Sequence, residues 1–191
     1  AAKGYALCVV NTGGDHGDLT DDYAAIRKEM EAVAAHFGKH VLREVELETV
    51  ESHVGELRRT CGDRAVLRAL HYYDENARVL EQAAAIRGGD LPAFFDAVKR
   101  SGDSSWKLLQ NVYARSTEEQ MAMGIELSRR FLHGDGAQRV HGGGFAGTIQ
   151  AYVPLDRLDD YKKLMEDAFG PGSCTALMVR PEGAVMMPME G

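Results

Sequence analysis

The sequence predicts one α+β domain, residues 1–191, with a mainly antiparallel sheet of about four strands and helices packed on one face. Two stretches have the character of strands: the apolar run 5–10, and the stretch 148–153, in which apolar and polar residues alternate. Between them, apolar residues recur at helical three- and four-residue spacing. The chain has 191 residues, 45% of them hydrophobic and 27% charged, which is enough for a single buried core.

The first half of the chain predicts a strand followed by helices. Residues 5–10 form the strand, closed by the turn-forming residues 11–14, and the apolar spacing of residues 23–37 predicts a helix that ends at Gly38. Four residues supply its cap and the negative charge that a helix N-terminus favours: Asp18, Thr20, Asp21 and Asp22. Residues 41–60 read as a short connector, partly helical between Leu47 and Leu57.

The middle of the sequence predicts a layer of helices. A helix of about six turns starts near Val66 and ends at Gly88-Gly89. Asp90 caps the next helix, whose apolar stripe continues as far as Tyr113. Residues 117–120, Thr-Glu-Glu-Gln, read as a capping box that opens another helix before Gly134.

The C-terminal part alternates between strands and a helix. Thr148 to Val153 predicts a half-buried strand, and residues 158–168 predict a helix that ends at Gly170. Residues 174–179 predict a further strand, and Pro181-Glu182-Gly183 predicts a hairpin turn into a last strand over residues 184–187.

Composition excludes several classes of function. A formal net charge of −7 argues against an extended surface for nucleic acid or anionic membranes, because such surfaces need clustered Lys and Arg. Three widely spaced cysteines, Cys8, Cys61 and Cys174, indicate neither a disulfide framework nor a zinc site and suit the cytoplasm. The sequence shows no signal peptide and no apolar run long enough to span a membrane.

The densest motif is a glycine-rich stretch that has four glycines in the six positions 142–147, directly before a predicted strand. Glycine backbone takes positive φ and lets a ligand or another segment approach closely, and successive N–H groups can form an anion-binding concavity. The spacing matches neither the P-loop nor the dinucleotide fingerprint. The alternative is a bend that only packs backbone on backbone, and the run alone leaves both interpretations open.

Two blocks of sequence resemble the galactokinases of the GHMP kinase superfamily. Residues 140–147, Val-His-Gly-Gly-Gly-Phe-Ala-Gly, resemble the C-terminal glycine motif of that family, with His141 in place of a Thr and Ala146 in place of a Gly. Residues 8–12, followed by His16 and by Tyr23 to Arg27, resemble the family's strand ending in Asn, its His and its Tyr-opened helix. The resemblance implies the ferredoxin-like GHMP kinase C-terminal domain, with a helical insertion.

The same resemblance implies a function for a longer parent protein. Galactokinases transfer phosphate from ATP, with Mg, to the C1 hydroxyl of galactose, and their N-terminal domain carries the serine-rich nucleotide loop and the catalytic acid. This sequence has no such loop and begins without an initiator Met, so we expect a truncated chain with no catalytic residue of its own, inactive by itself. Its expected partners are galactose or a related sugar, its own N-terminal domain and, through the exposed domain interface, a second copy of the chain.

The resemblance also assigns candidate site residues. Tyr23 and His16 are expected to contact the sugar, and residues 141–147 (His141, Gly142, Gly143, Gly144, Phe145, Ala146 and Gly147) to form an active-site loop. Arg139 precedes His141 by two residues and so lies on the same strand face, where its guanidinium is a possible phosphate contact. Each has a structural alternative: Tyr23 as a core residue, His141 as a satisfied strand-end histidine, Arg139 as a solvated strand residue. His16 with Asp15, Asp18, Asp21 and Asp22 suggests a metal cluster, but helix capping explains these acids, so no metal site is predicted.

Two other functions remain open from the sequence. One is a free-standing, non-catalytic α+β module that binds a ligand or regulates a partner. The other is a GHMP kinase that acts on another small alcohol, against which Tyr23 and the His16 block count only through the resemblance.

Overall fold

The computed structural model describes residues 4–14, 19–145 and 147–178. Four strands form one sheet: β1 (Tyr5–Asn11), β2 (Ala137–Val140), β3 (Thr148–Pro154) and β4 (Cys174–Leu177). Their order across the sheet is β2-β3-β1-β4, and all three neighbouring pairs are antiparallel. The predicted α+β class is therefore confirmed.

Seven α-helices accompany the sheet in the described part of the chain. They are α1 (Thr20–His36), α2 (Leu47–Ser52), α3 (Val54–Thr60), α4 (Asp63–Gly88), α5 (Leu91–Ser104), α6 (Gln120–Leu132) and α7 (Leu158–Phe169). The predicted connector 41–60 thus contains two short helices, which bury Val50 and Leu57. None of the helices described is long and apolar enough to cross a bilayer.

Helices lie on both faces of the sheet, whereas the sequence predicted one face. Alternate residues of β1, Ala6, Cys8 and Val10, pack with residues of α6 and α7 in the main core. On the opposite face, Tyr5 and Tyr152 pack against Phe94 and Phe95 of α5. An uncovered aromatic ring on the second face would leave a large apolar area in water. Helix α5 covers these rings.

A separate apolar cluster holds the helical layer together. We call it the helical cluster; its buried members come from α1, α2, α3, α4 and the segment between α1 and α2: Val33, Ala34, Leu42, Val45, Val50, Leu57, Ala65, Val66 and Ala69. Because Val33 and Ala34 of α1 belong to this cluster, it fixes the position of α1. Tyr23 lies in the first turn of α1, so the cluster also fixes the position of its side chain.

The structure corrects three local predictions. Helix α5 ends at Ser104 and continues as one π-helical turn, Ser105–Leu109, after which Gln110 takes a left-handed conformation, so the helix does not reach Tyr113. Two of the three predicted caps differ: Leu19 caps α1 and Glu119 caps α6, both without a side-chain hydrogen bond. The predicted Asp90 cap is confirmed, since its carboxylate accepts the Ala93 N–H at 3.0 Å. The fourth strand is β2, while the predicted hairpin and strand after Pro181 lie outside the described residues.

Candidate active site at the glycine loop

The glycine-rich stretch connects β2 to β3 at one end of the sheet. Its last glycine is tied to β1, because the Thr12 backbone N–H donates to the Gly147 carbonyl at 2.6 Å and the Thr12 hydroxyl donates to the same oxygen at 3.2 Å. The His141 N–H donates to the Thr148 carbonyl at 3.0 Å. The loop is therefore anchored at both ends to paired strands.

Positive φ angles shape the loop. Gly142, Gly144 and Gly147 have φ of +66°, +83° and +104°, and Phe145 has +59°, which is unusual for a residue with a bulky side chain. The left-handed conformation of Phe145 stores backbone strain, because a residue with a side chain rarely adopts it unless surrounding contacts hold it there. The sequence-based expectation that glycines here take positive φ is thus met at two of the positions 142–144.

Asn111 holds the loop from the other side. Its carbonyl accepts the Phe145 N–H at 2.6 Å, and its side-chain amide donates to the Gly143 carbonyl at 3.0 Å. A Cβ on Gly144 would collide with the Asn111 carbonyl oxygen and would lie 2.6 Å from its Nδ2. The Oδ1 atom of Asn111 is buried and has no hydrogen-bond partner among the described residues. Sequence reasoning missed Asn111 because it fell inside a stripe interpreted as helical.

Tyr23 meets the loop directly. Its hydroxyl donates to the Gly144 carbonyl at 2.6 Å, and its ring lies edge-on to Phe145, with centroids 5.2 Å apart and planes at 87°. A Cβ on Gly143 would come within 2.9 Å of the Tyr23 ring. The two blocks of sequence that carry the family resemblance therefore touch, although they are more than a hundred residues apart.

The structure gives His141 and Arg139 partners of their own. The His141 Nδ1 lies 2.9 Å from the Gln150 Oε1, on the neighbouring strand. The Arg139 Nη1 donates to the Glu75 carboxylate at 3.3 Å and to the Ser101 hydroxyl at 2.5 Å, beneath α4 and α5. A phosphate role for Arg139 would require it to leave this cluster.

Two predicted site residues are not described by the structure. His16 and Ala146 lie outside the described ranges, as do Asp15 and Asp18. The sugar contact proposed for His16 therefore stays a prediction. Within residues 4–14, 19–145 and 147–178, no group of three or more His, Cys, Asp or Glu side chains is placed to hold a metal ion.

A cleft of about 340 Å³ adjoins the loop. Its lining residues are polar, aromatic and aliphatic: Asp22, Arg64, Arg68, Trp106, Gln110, Val112, Tyr113, Ala114 and Phe145. Arg68 is only 2% exposed; its Nε donates to the Leu109 carbonyl at 3.0 Å and its Nη1 pairs with Glu29 at 2.8 Å. Burial lowers the pKa of Arg68 despite the attraction of Glu29. Arg68 is thus held in a fixed position in the cleft wall, with its charge paired to Glu29.

Comparison of the whole chain with known proteins finds galactokinases among its relatives. No protein-family model matches the chain. The galactokinases of Mannheimia succiniciproducens and Haemophilus influenzae are each 30% identical over 164 residues, which is 86% of this chain and 41% of each relative. The galactokinase of Actinobacillus pleuropneumoniae is 28% identical over 166 residues, 87% of this chain and 42% of the relative. The chain therefore spans about two fifths of the length of the curated relatives it matches.

The fold has a solved counterpart. The crystal structure of Lactococcus lactis galactokinase, complexed with galactose, superposes with a TM-score of 0.70 and covers 93% of this chain and 45% of that one, at 17% sequence identity. The fold of this chain is thus the α+β fold of the matching part of that galactokinase. More specifically, the resemblance to the C-terminal domain of galactokinases, drawn from the sequence, is confirmed.

Proposed function

We propose that this chain is the C-terminal domain of a cytoplasmic, galactokinase-like sugar kinase, in which Tyr23 and the glycine loop form one wall of the sugar cleft. The parent enzyme would phosphorylate galactose, or a close relative, at C1. The observation that carries the proposal is the hydrogen bond of 2.6 Å from the Tyr23 hydroxyl to the Gly144 carbonyl, because it joins the two family-like blocks at one place.

The chemistry of that contact suits a sugar. While the Tyr23 hydroxyl donates to Gly144, its oxygen keeps lone pairs that accept a hydrogen bond from a sugar hydroxyl. The loop's constrained backbone holds this oxygen in place without reorganisation, which is how positioning contributes to catalysis. ATP and Mg would be held mainly by a second domain that carries the nucleotide loop, since phosphoryl transfer needs groups that this sequence lacks. The 191-residue chain by itself is expected to form no galactose 1-phosphate.

The test uses the kinase assembled from this chain and its nucleotide-binding domain. Gly143→Ala places a methyl group against the Tyr23 ring, and Tyr23→Phe removes the hydroxyl. We expect Gly143→Ala to lower turnover at least tenfold, about 1.4 kcal/mol in transition-state free energy. Tyr23→Phe should raise the KM for galactose by a similar factor.

Tyr72→Phe is the matched control, because Tyr72 lies in the helical layer against the helical cluster and away from the loop. It should change neither constant, and melting temperatures of all three variants report folding. If Gly143→Ala only lowers the melting temperature while turnover of the folded protein stays normal, the loop is a structural bend. Failure of the assembled protein to phosphorylate any sugar would favour the non-catalytic module.

A further inference from the structure

A second pocket, of about 480 Å³, lies where α5, the end of α6 and the edge strand β2 meet. We call it the edge pocket; it is lined by Lys99, Arg129, Arg130, His133, Gly134 and Gln138. None of these residues belongs to the glycine loop, to Tyr23 or to the cleft beside them. Its entrance is fixed by close packing of α5 on β2, since a Cβ on Gly102 would lie 3.1 Å from the Gln138 carbonyl oxygen.

The edge pocket carries excess positive charge. Arg129 and Arg130 share one carboxylate, Glu126, at 2.7 and 2.6 Å. In the described part of the chain, neither Lys99 nor His133 makes an ion pair. Three permanent cations thus face a single anion, in a chain whose formal net charge is −7. Such a local reversal of sign concentrates anions at one place on the surface.

Gln138 adds a neutral hydrogen-bond donor to the edge pocket. It is only 9% exposed, it lies on the sheet face covered by α6, and its side chain lines the edge pocket. Its amide makes no hydrogen bond to any residue that the structure describes. Its amide atoms are not among the fully buried polar atoms without a partner, so solvent reaches them and the NH₂ group can donate to an acceptor bound in the edge pocket.

We propose that the edge pocket binds a small phosphate-bearing anion with at least two negative charges. Arginine guanidinium groups pair with phosphate oxygens, a lysine supplies a point charge, and the Gln138 NH₂ donates a neutral hydrogen bond. The volume is in the range of small-molecule sites. The limited size of the pocket favours a small metabolite over a polymer, whose binding would need an extended basic surface.

The test is titration of the 191-residue chain with pyrophosphate at low salt, by calorimetry and by NMR of the ¹⁵N-labelled side-chain amides. We expect saturable binding and a shift of the Gln138 amide resonance. The double variant Lys99→Met/Arg130→Met should bind at least tenfold more weakly. Its control, Lys163→Met/Arg58→Met, removes the same charge from exposed sites elsewhere and should stay within twofold.

Gln138→Met removes the amide without changing charge and should weaken binding about threefold or more, with the melting temperature as the check on folding. The proposal is overturned if pyrophosphate does not saturate, if both double variants lose affinity equally, or if a short oligonucleotide binds as tightly as pyrophosphate. An unshifted Gln138 resonance at saturation would overturn it too, and this readout needs no variant to fold.

Discussion

The glycine loop and the helical cluster are built on opposite principles. At Gly143 and Gly144, backbone atoms of the loop approach Tyr23 and Asn111 so closely that one extra carbon has no room. In the helical cluster, buried apolar side chains such as Leu57 fill space, and the cost comes from removing carbon. The contrast teaches that Gly143 and Gly144 have no room for an added atom, whereas the helical cluster loses stability when atoms are removed, a difference that substitutions can test.

The largest effect is expected for Gly144→Ala. The variant forces alanine into a left-handed conformation and drives its Cβ into the Asn111 carbonyl, so we expect a loss of about 4 kcal/mol or more in the free energy of unfolding. Urea denaturation measures it. Gly142→Ala, at φ +66° with open space around the new Cβ, is the control and should cost only about 1 kcal/mol. Equal losses in the two variants would show that φ alone, and not Asn111, shapes the loop.

A smaller loss is expected for Leu57→Ala. Leu57 is 0% exposed, so truncation leaves a cavity and should cost about 3 kcal/mol by urea denaturation. Leu80→Ala on α4 makes the same chemical change at a side chain that is 72% exposed, and should stay within about 0.5 kcal/mol. A small cost for Leu57→Ala would mean that the helical cluster repacks, unlike the loop.

The smallest effect concerns the polar cluster under α4 and α5, where His71 meets the Ser104 hydroxyl at 2.9 Å. Burial lowers the pKa of His71 below 6.5, with Arg78 and Arg139 adding to the shift and Glu75 opposing it. Above pH 6.5 both folded and unfolded states are neutral at this group. As pH falls below 6.5, the unfolded chain binds the proton first, so stability should drop by up to about 1.4 kcal/mol per pH unit until the folded pKa is passed.

Urea denaturation between pH 7.5 and 5.5 measures that dependence. His71→Gln should flatten it, while His40→Gln, at an exposed position, should leave it unchanged. If the free energy of unfolding of His71→Gln still falls with pH as steeply as that of the unchanged protein, the proton uptake belongs to another group and not to His71.

Sequence periodicity predicted most helices and strands because apolar spacing is a local property. It failed where tertiary contacts override local preference. Asn111 was expected in a helix, but the helical stretch ends before it, where Gln110 adopts a left-handed conformation. The hydrogen bonds of Asn111 to Gly143 and Phe145 offset the conformational energy of that residue. The cover of the second sheet face by Phe94 and Phe95 was also unpredictable, because periodicity does not say which helix packs on which face.

By itself the sequence determined the α+β class, the glycine-rich stretch and the resemblance to galactokinases, since composition, spacing and motif are readable without coordinates. Only the tertiary structure decided that Tyr23 bonds to Gly144, that Arg139 turns to Glu75 and Ser101, and that Gln138 faces a cationic pocket. The physical reason is distance along the chain: Tyr23 and Gly144, Arg139 and Glu75, and Gln138 and Lys99 are far apart in sequence, and only the packing of sheet and helices brings them together.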